Sequence, residues 1–176
     1  MTARNGKGRT SDHGESGTSV EVIVDHGAWV DRVDADRLVE LARAAAGNRR
    51  GDIAISLSSD QSVQNLNRTY RDLDKPTNVL SFPGAADDLG HGIRHLGDVI
   101  LAFETSVKEA SELGIELADH AAHLVVHGVL HLLGHDHQTE GEAETMEAEE
   151  RRVLAGFGIS DPYARQGDVI MVAEDG

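Results

Sequence analysis

The sequence predicts an α+β domain, an α/β sandwich in which one mixed sheet of roughly four strands packs with about five helices. Three observations carry that prediction. Strand-length β-branched runs alternate with amphipathic helical stripes from Val20 to Phe103. Beyond Phe103 only helical periodicity remains. The chain has 176 residues, 39% of them hydrophobic, enough for a single sizeable core, and no internal repeat divides it. The expected organisation is a disordered arm over residues 1–18, one domain over 19–160 and a short tail over 161–176.

The arm is rich in Gly, Ser, Thr and charge, with almost nothing to bury. Val20 to Val24 is a β-branched run and the first expected strand. Asp34 is placed to cap a helix whose stripe is Leu38, Leu41, Ala42 and Ala45, ending near Gly47. Asp52 to Leu57 alternates as a second strand, and Asp60 to Tyr70 is helical, with Val63, Leu66 and Tyr70 on one side. A turn from Asp74 leads into a third strand that Pro83 stops. Residues 84–95 form a loop rich in Gly and Asp, and Leu96 to Phe103 is the fourth and most apolar strand. Helices are expected at 104–113, 117–134 and 140–155. The last begins with EGEAETMEAEE, whose six glutamates read as a solvated face, while Met146 stands at core spacing from Val153.

Composition narrows the function. There is no cysteine, so disulfides and thiolate metal sites are excluded and any metal falls to His, Asp or Glu. The first residues lack the apolar segment of a signal peptide, and no run approaches the ~18 apolar residues of a membrane helix. A cytoplasmic protein with no membrane partner is expected. A formal charge of −15 and only six aromatic side chains argue against an extensive basic footprint or a long stacking platform for nucleic acid. A small basic cleft would suffice for local contact.

The chemistry concentrates in His127-Gly-Val-Leu-His131-Leu-Leu-Gly134-His135-Asp136-His137. His127 and His131 are four apart and share a helix face. Gly134 can adopt the left-handed conformation that ends a helix, bringing His137 back toward the pair. Three neutral imidazoles with an open fourth position are how proteins hold a catalytic zinc. The chain has ten histidines, and His123, four before His127, is an alternative partner for it. Two features favour the downstream set. Leu124, Val125, Val129, Leu130, Leu132 and Leu133 surround His127 and His131 with apolar residues, where an unpaired ring would be costly. The glycine turn followed by a third histidine is also harder to produce by chance than a pair.

The spacing His-x-x-x-His-x-x-Gly-x-x-His resembles the metal-binding pattern of metzincin proteases, but those carry a glutamate general base directly after the first histidine. Here that position is Gly128, which cannot move a proton. The stretch resembles far more closely the signature of the YbeY-type endoribonucleases, the ribosomal RNA maturation factors. That signature is His-Gly-x-Leu-His-Leu-x-Gly, then commonly tyrosine, then Asp-His; residues 127–137 reproduce it with His135 at the tyrosine position. A second family-like segment runs from Asn67 through Tyr70, Arg71, Asp74, Pro76, Thr77 and Asn78 to Pro83, and a third is Leu96-Gly97-Asp98. The similarity spans roughly residues 20–158.

The resemblance implies a single Zn²⁺ held by His127, His131 and His137, and a catalytic or phosphate-contacting role for Arg71. From the residues alone, Arg71 serves equally as a bidentate phosphate clamp or as a cation at a helix C-terminus. Asp136 can orient a ligand ring or brace the turn; Asp98 and Asn78 can line a cleft or merely end strands. By resemblance the expected activity is a zinc-dependent, single-strand-specific endoribonuclease in ribosomal RNA maturation and ribosome quality control. Ribosomal RNA and the small ribosomal subunit or its proteins would be its partners, and DNA would not. The alternatives are a metal-dependent peptidase or amidase, or a non-catalytic ribosome-assembly factor with structural zinc. A three-ligand site favours catalysis, since structural zinc is normally closed by four protein ligands.

Overall fold

The frame of the computed structural model, which describes residues 9–12, 17–85 and 94–164, is a mixed sheet. Its strands are β1 (Arg9–Asp12), β2 (Thr18–Val24), β3 (Gly51–Ser58), β4 (Val79–Pro83) and β5 (His95–Ala102). They lie in the order β1-β2-β3-β5-β4. β2, β3 and β5 run parallel, and β1 and β4 close the two edges antiparallel. The helices are α1 (Ala35–Ala46), α2 (Asp60–Arg71), α3 (Phe103–Leu113), α4 (Leu117–Leu132) and α5 (Glu140–Gly156). This is the expected α+β class, with one strand more than the sequence revealed.

That additional strand, β1, falls in the stretch assigned to the arm. It pairs with β2 from Arg9 opposite Ile23 to Asp12 opposite Val20. A strand edge offers backbone N–H and C=O groups to any extended segment, and side-chain composition does not report this. The rest of the arm (1–8 and 13–16), most of the 84–95 loop (86–93) and the tail from 165 lie outside the described residues.

Two layers sandwich the sheet. On one face Val20, Val22, Ile53, Ile55, Leu57, Val99 and Leu101 meet α1, α4 and α5 in the main core. On the other, Leu80, Ile100 and Ala102 pack against Val63 of α2 in a smaller cluster. β5 is buried on both sides, which is why it reads as the most apolar strand. Local signals set the helix boundaries. Asp34 accepts from the amides of Asp36 and Arg37 at 3.0 and 3.3 Å, capping α1. Thr139 and Glu142 form a reciprocal capping box at the start of α5. Tyr70 departs from expectation: it is 69% exposed, and Asn67 is the buried residue beside Val63. The Tyr70 ring sits edge-on over Phe82 at 5.6 Å, beside edge strand β4.

α4 approaches the sheet closely at one point. A methyl group built at Gly128 would lie 2.6 Å from Val99 Cγ1 and 3.1 Å from Ser81 Oγ. The Ser81 hydroxyl donates to the Gly128 carbonyl at 2.9 Å, tying β4 to the helix at the same place. Gly128→Ala must therefore push α4 off β5 or displace Val99, an overpacking cost of about 1–3 kcal/mol. Urea unfolding should show a lower midpoint at an unchanged slope. A midpoint equal to wild type would show that the contact is not tight.

Candidate metal centre

α4 delivers two histidines and the turn after it delivers the third. Its buried residues include Ala121, Val125, Gly128 and Val129, which seat it in the core. His127 and His131, one turn apart, are only partly buried. The helix stops at Leu132, two residues before the expected end. The Gly134 amide then donates to the His131 carbonyl and the His135 amide to the Leu130 carbonyl, both at 3.1 Å, with Gly134 at φ +93°. This is a glycine-terminated helix end, and it folds His137 back over the pair. The His131 and His137 rings stand 5.2 Å apart, and those of His127 and His137 5.9 Å.

One nitrogen from each ring converges, all within 4.8 Å of one another. The Nε2 atoms of His127 and His131 are 3.1 Å apart. Two nitrogens held about 2.0–2.1 Å from a tetrahedral ion lie about 3.3 Å apart, so the donor set fits a metal with little adjustment. His137 is exposed, which leaves the group open to solvent on that side. Burial, together with the positive charge His127 and His137 would carry, holds the His131 pKa down at about 4. Its imidazole is therefore neutral, the ligating form, at neutral pH.

The sequence reading missed the residue beneath this group. Glu150, counted among the solvated glutamates of α5, is 0% exposed. Its Oε1 is 2.6 Å from His127 Nδ1 and its Oε2 is 2.8 Å from His123 Nε2. The Tyr163 hydroxyl donates to Oε2 at 2.5 Å. Burial by itself would raise the Glu150 pKa, but hydrogen bonds from His123 and His127 and their charge bring it down to about 2. Burial and then the neighbouring Glu150 charge push the Tyr163 phenol far up, so it remains a donor. A signal was available in the sequence. Glu150 lies four after Met146 and three before Val153, on the buried stripe of its helix.

The remaining candidates have defined places. Arg71 ends α2; its Nη2 donates to the Ser81 carbonyl at 3.1 Å and its guanidinium lies 5.6 Å from the Phe82 ring centre. It is thus joined to the histidine helix through Ser81, whose hydroxyl meets Gly128, but it touches no histidine in the described contacts. Asp136 Oδ1 accepts from the His137 amide at 2.8 Å, bracing the turn. Asn78 donates to Glu109 at 3.0 Å, and Asp98 faces His95 at 3.2 Å. His135 is half-buried and Met146 belongs to the core. On the opposite side of the sheet, Ser56, Ser58, Ser62, Asn65, Thr69 and Tyr70 help line a hollow of about 450 Å³ that none of the histidines or Arg71 enters.

A sheet-packed helix that ends in three converging imidazoles, inside an α+β sandwich, defines a domain with a group able to hold a metal ion. The family model described as endoribonuclease YbeY matches residues 29–158, and the chain belongs to that family. It is 42% identical to an endoribonuclease YbeY of Rhodopseudomonas palustris (strain BisB5), over 93% of each chain. It is 47% identical to one from Azorhizobium caulinodans, over 82% of this chain and 96% of the relative. A third, from Rhizorhabdus wittichii, is 47% identical over 77% of this chain and 91% of its own.

His131 and Glu150 predict an acid response of the chelator-treated protein. His131 is held at about 4 against an ordinary 6.5, so between those values the unfolded chain binds the extra proton and stability rises with pH. Glu150 is held at about 2 against 4.5, so its contribution is complete above 4.5 and is lost as pH falls toward 2. Melting temperature should therefore fall on acidification across both windows. His131→Ala should flatten the upper one. An unchanged upper slope in that variant would show that His131 is not the group responsible.

Proposed function

We propose that this protein is a zinc-dependent, single-strand-specific endoribonuclease acting in ribosomal RNA maturation and ribosome quality control. The observation that carries the reading is the convergence of the His127, His131 and His137 nitrogens in a chain of the YbeY family. These three residues are the zinc ligands, one ion per chain. Bound there, Zn²⁺ supplies a Lewis acid toward a phosphoryl oxygen or a water molecule.

The protein's own groups supply the rest. Arg71 gives one N–H to the Ser81 carbonyl, and among the described residues its other four have no hydrogen-bond partner, enough for a two-pronged contact with a phosphate. Placed so, it neutralises charge that develops on phosphorus as the bond is cut. The peptidase route is disfavoured by packing as well as by chemistry. The metzincin base position is Gly128, and Val99 and Ser81 occupy the space that a glutamate side chain there would need. A formal net charge of −15 favours short, local contact with RNA over an extended track. Positioning then falls to ribosomal RNA within the small ribosomal subunit, or to its proteins. None of the described helices is long and apolar enough to cross a membrane, which accords with action on ribosomes in the cytoplasm.

The test incubates zinc-loaded protein with ribosomal RNA, small ribosomal subunits and casein, with and without chelator. RNA should be cut, chelator should abolish cutting, and casein should survive. Casein cleavage would instead support the peptidase alternative. Arg71→Ala should lower turnover by about 10²–10³-fold with metal content and melting temperature unchanged. Arg71→Lys should recover little, because a point charge does not reproduce the planar fork. Normal turnover in Arg71→Ala would return that residue to a helix-end role.

A further inference from the structure

The residues around Glu150 form a second group whose ligand-type atoms, from His123, His127 and Glu150, also lie close together. Their separations identify it. At 2.6 and 2.8 Å the nitrogen–oxygen distances are those of charge-assisted hydrogen bonds, well inside the about 3.3 Å between two ligands of one tetrahedral ion. The Tyr163 hydroxyl fills the remaining approach to Oε2 at 2.5 Å. Three donors therefore surround one wholly buried carboxylate on α5, and none of its oxygens faces solvent. A carboxylate only accepts, so each ring nitrogen facing it must carry the proton.

This fixes the chemistry of His127. In the neutral ring a proton on Nδ1 leaves Nε2 as a lone pair, and Nε2 is the atom that faces His131 at 3.1 Å. His123 likewise turns its Nε2 to Glu150, so that nitrogen is not offered to the ion. We propose that Glu150 is a positioning residue of the metal centre, holding His127 in the tautomer and ring orientation that presents Nε2 to the ion, with His123 and Tyr163 holding Glu150 in turn. The proposal rests on the three-histidine reading above. It adds that the centre is a unit of α4, α5 and the segment carrying Tyr163.

Two measurements separate the proposal from that reading. Long-range ¹H–¹⁵N spectra of the histidine rings, taken on chelator-treated protein, report each tautomer without any metal. Wild type should show His127 protonated at Nδ1, and Glu150→Gln should show a shift toward Nε2 protonation. Competition titration with Zn²⁺ should give one tight equivalent in wild type and a 10–100-fold weaker one in Glu150→Gln. Tyr163→Phe keeps the carboxylate and its contact with His127, so it should retain the wild-type tautomer. Nε2 protonation of His127 in wild type overturns the proposal even if the Glu150 variant does not fold. A Glu150→Gln protein that keeps both the tautomer and the zinc affinity overturns it too. A wild-type protein that takes up no Zn²⁺ sinks the metal reading itself and leaves Glu150 without a centre to position.

Discussion

α4 lies so close to β4 and β5 that residue 128 has no room for a side chain, and the placement of the centre depends on that contact. The helix cannot roll or slide without driving its backbone into Val99 or breaking the Ser81–Gly128 hydrogen bond. With the helix fixed, His127 and His131 are fixed on its outer face, and the turn at Gly134 determines where His137 falls. Ser81 bonds the helix through its hydroxyl and Arg71 through its carbonyl. One residue of an edge strand thereby sets the proposed phosphate-binding cation relative to the histidines. The same close contact leaves no room for a side chain at residue 128, the position from which proteases with this histidine spacing extend their general base.

Beneath the histidines the protein buries a charge, which is expensive unless every acceptor is satisfied. Glu150 meets that condition with two imidazole donors and a phenol. Breaking one member should strand the others, since a half-satisfied buried network is worse than none. The arrangement also couples parts of the chain that are distant in sequence. α5 and the residues after it are not an appendage to the core; they determine which nitrogen of His127 is free.

Much of this was legible in the sequence, for reasons that can be stated residue by residue. Asp34 ahead of the Leu38–Leu41 stripe marked α1, and the histidine pair followed by Gly134 marked a helix end with a third histidine beyond it. In both cases a local hydrogen-bonding requirement selects the residue type. Arg71 was placed at the end of α2, but its bond to Ser81 was not visible, because that contact depends on how α2 and β4 meet. β1 left no trace in composition because strand pairing uses the backbone. Glu150 stands among acidic neighbours; its register with Met146 and Val153 marks it as buried, but what a charge on that stripe does depends on partners that the sequence does not place beside it. Tyr163, in a segment read as tail, was missed for the same reason.

On the proposed reading three imidazoles, and no other side chains, form the protein's part of a metal centre with an open position. X-ray absorption at the zinc edge of the loaded wild-type protein tests it most directly. The ion should be surrounded by nitrogen and oxygen at about 2.0–2.1 Å, with a three-imidazole signature and a light atom in fourth place. A shell with fewer than three imidazoles, or one closed by a fourth histidine, would contradict it.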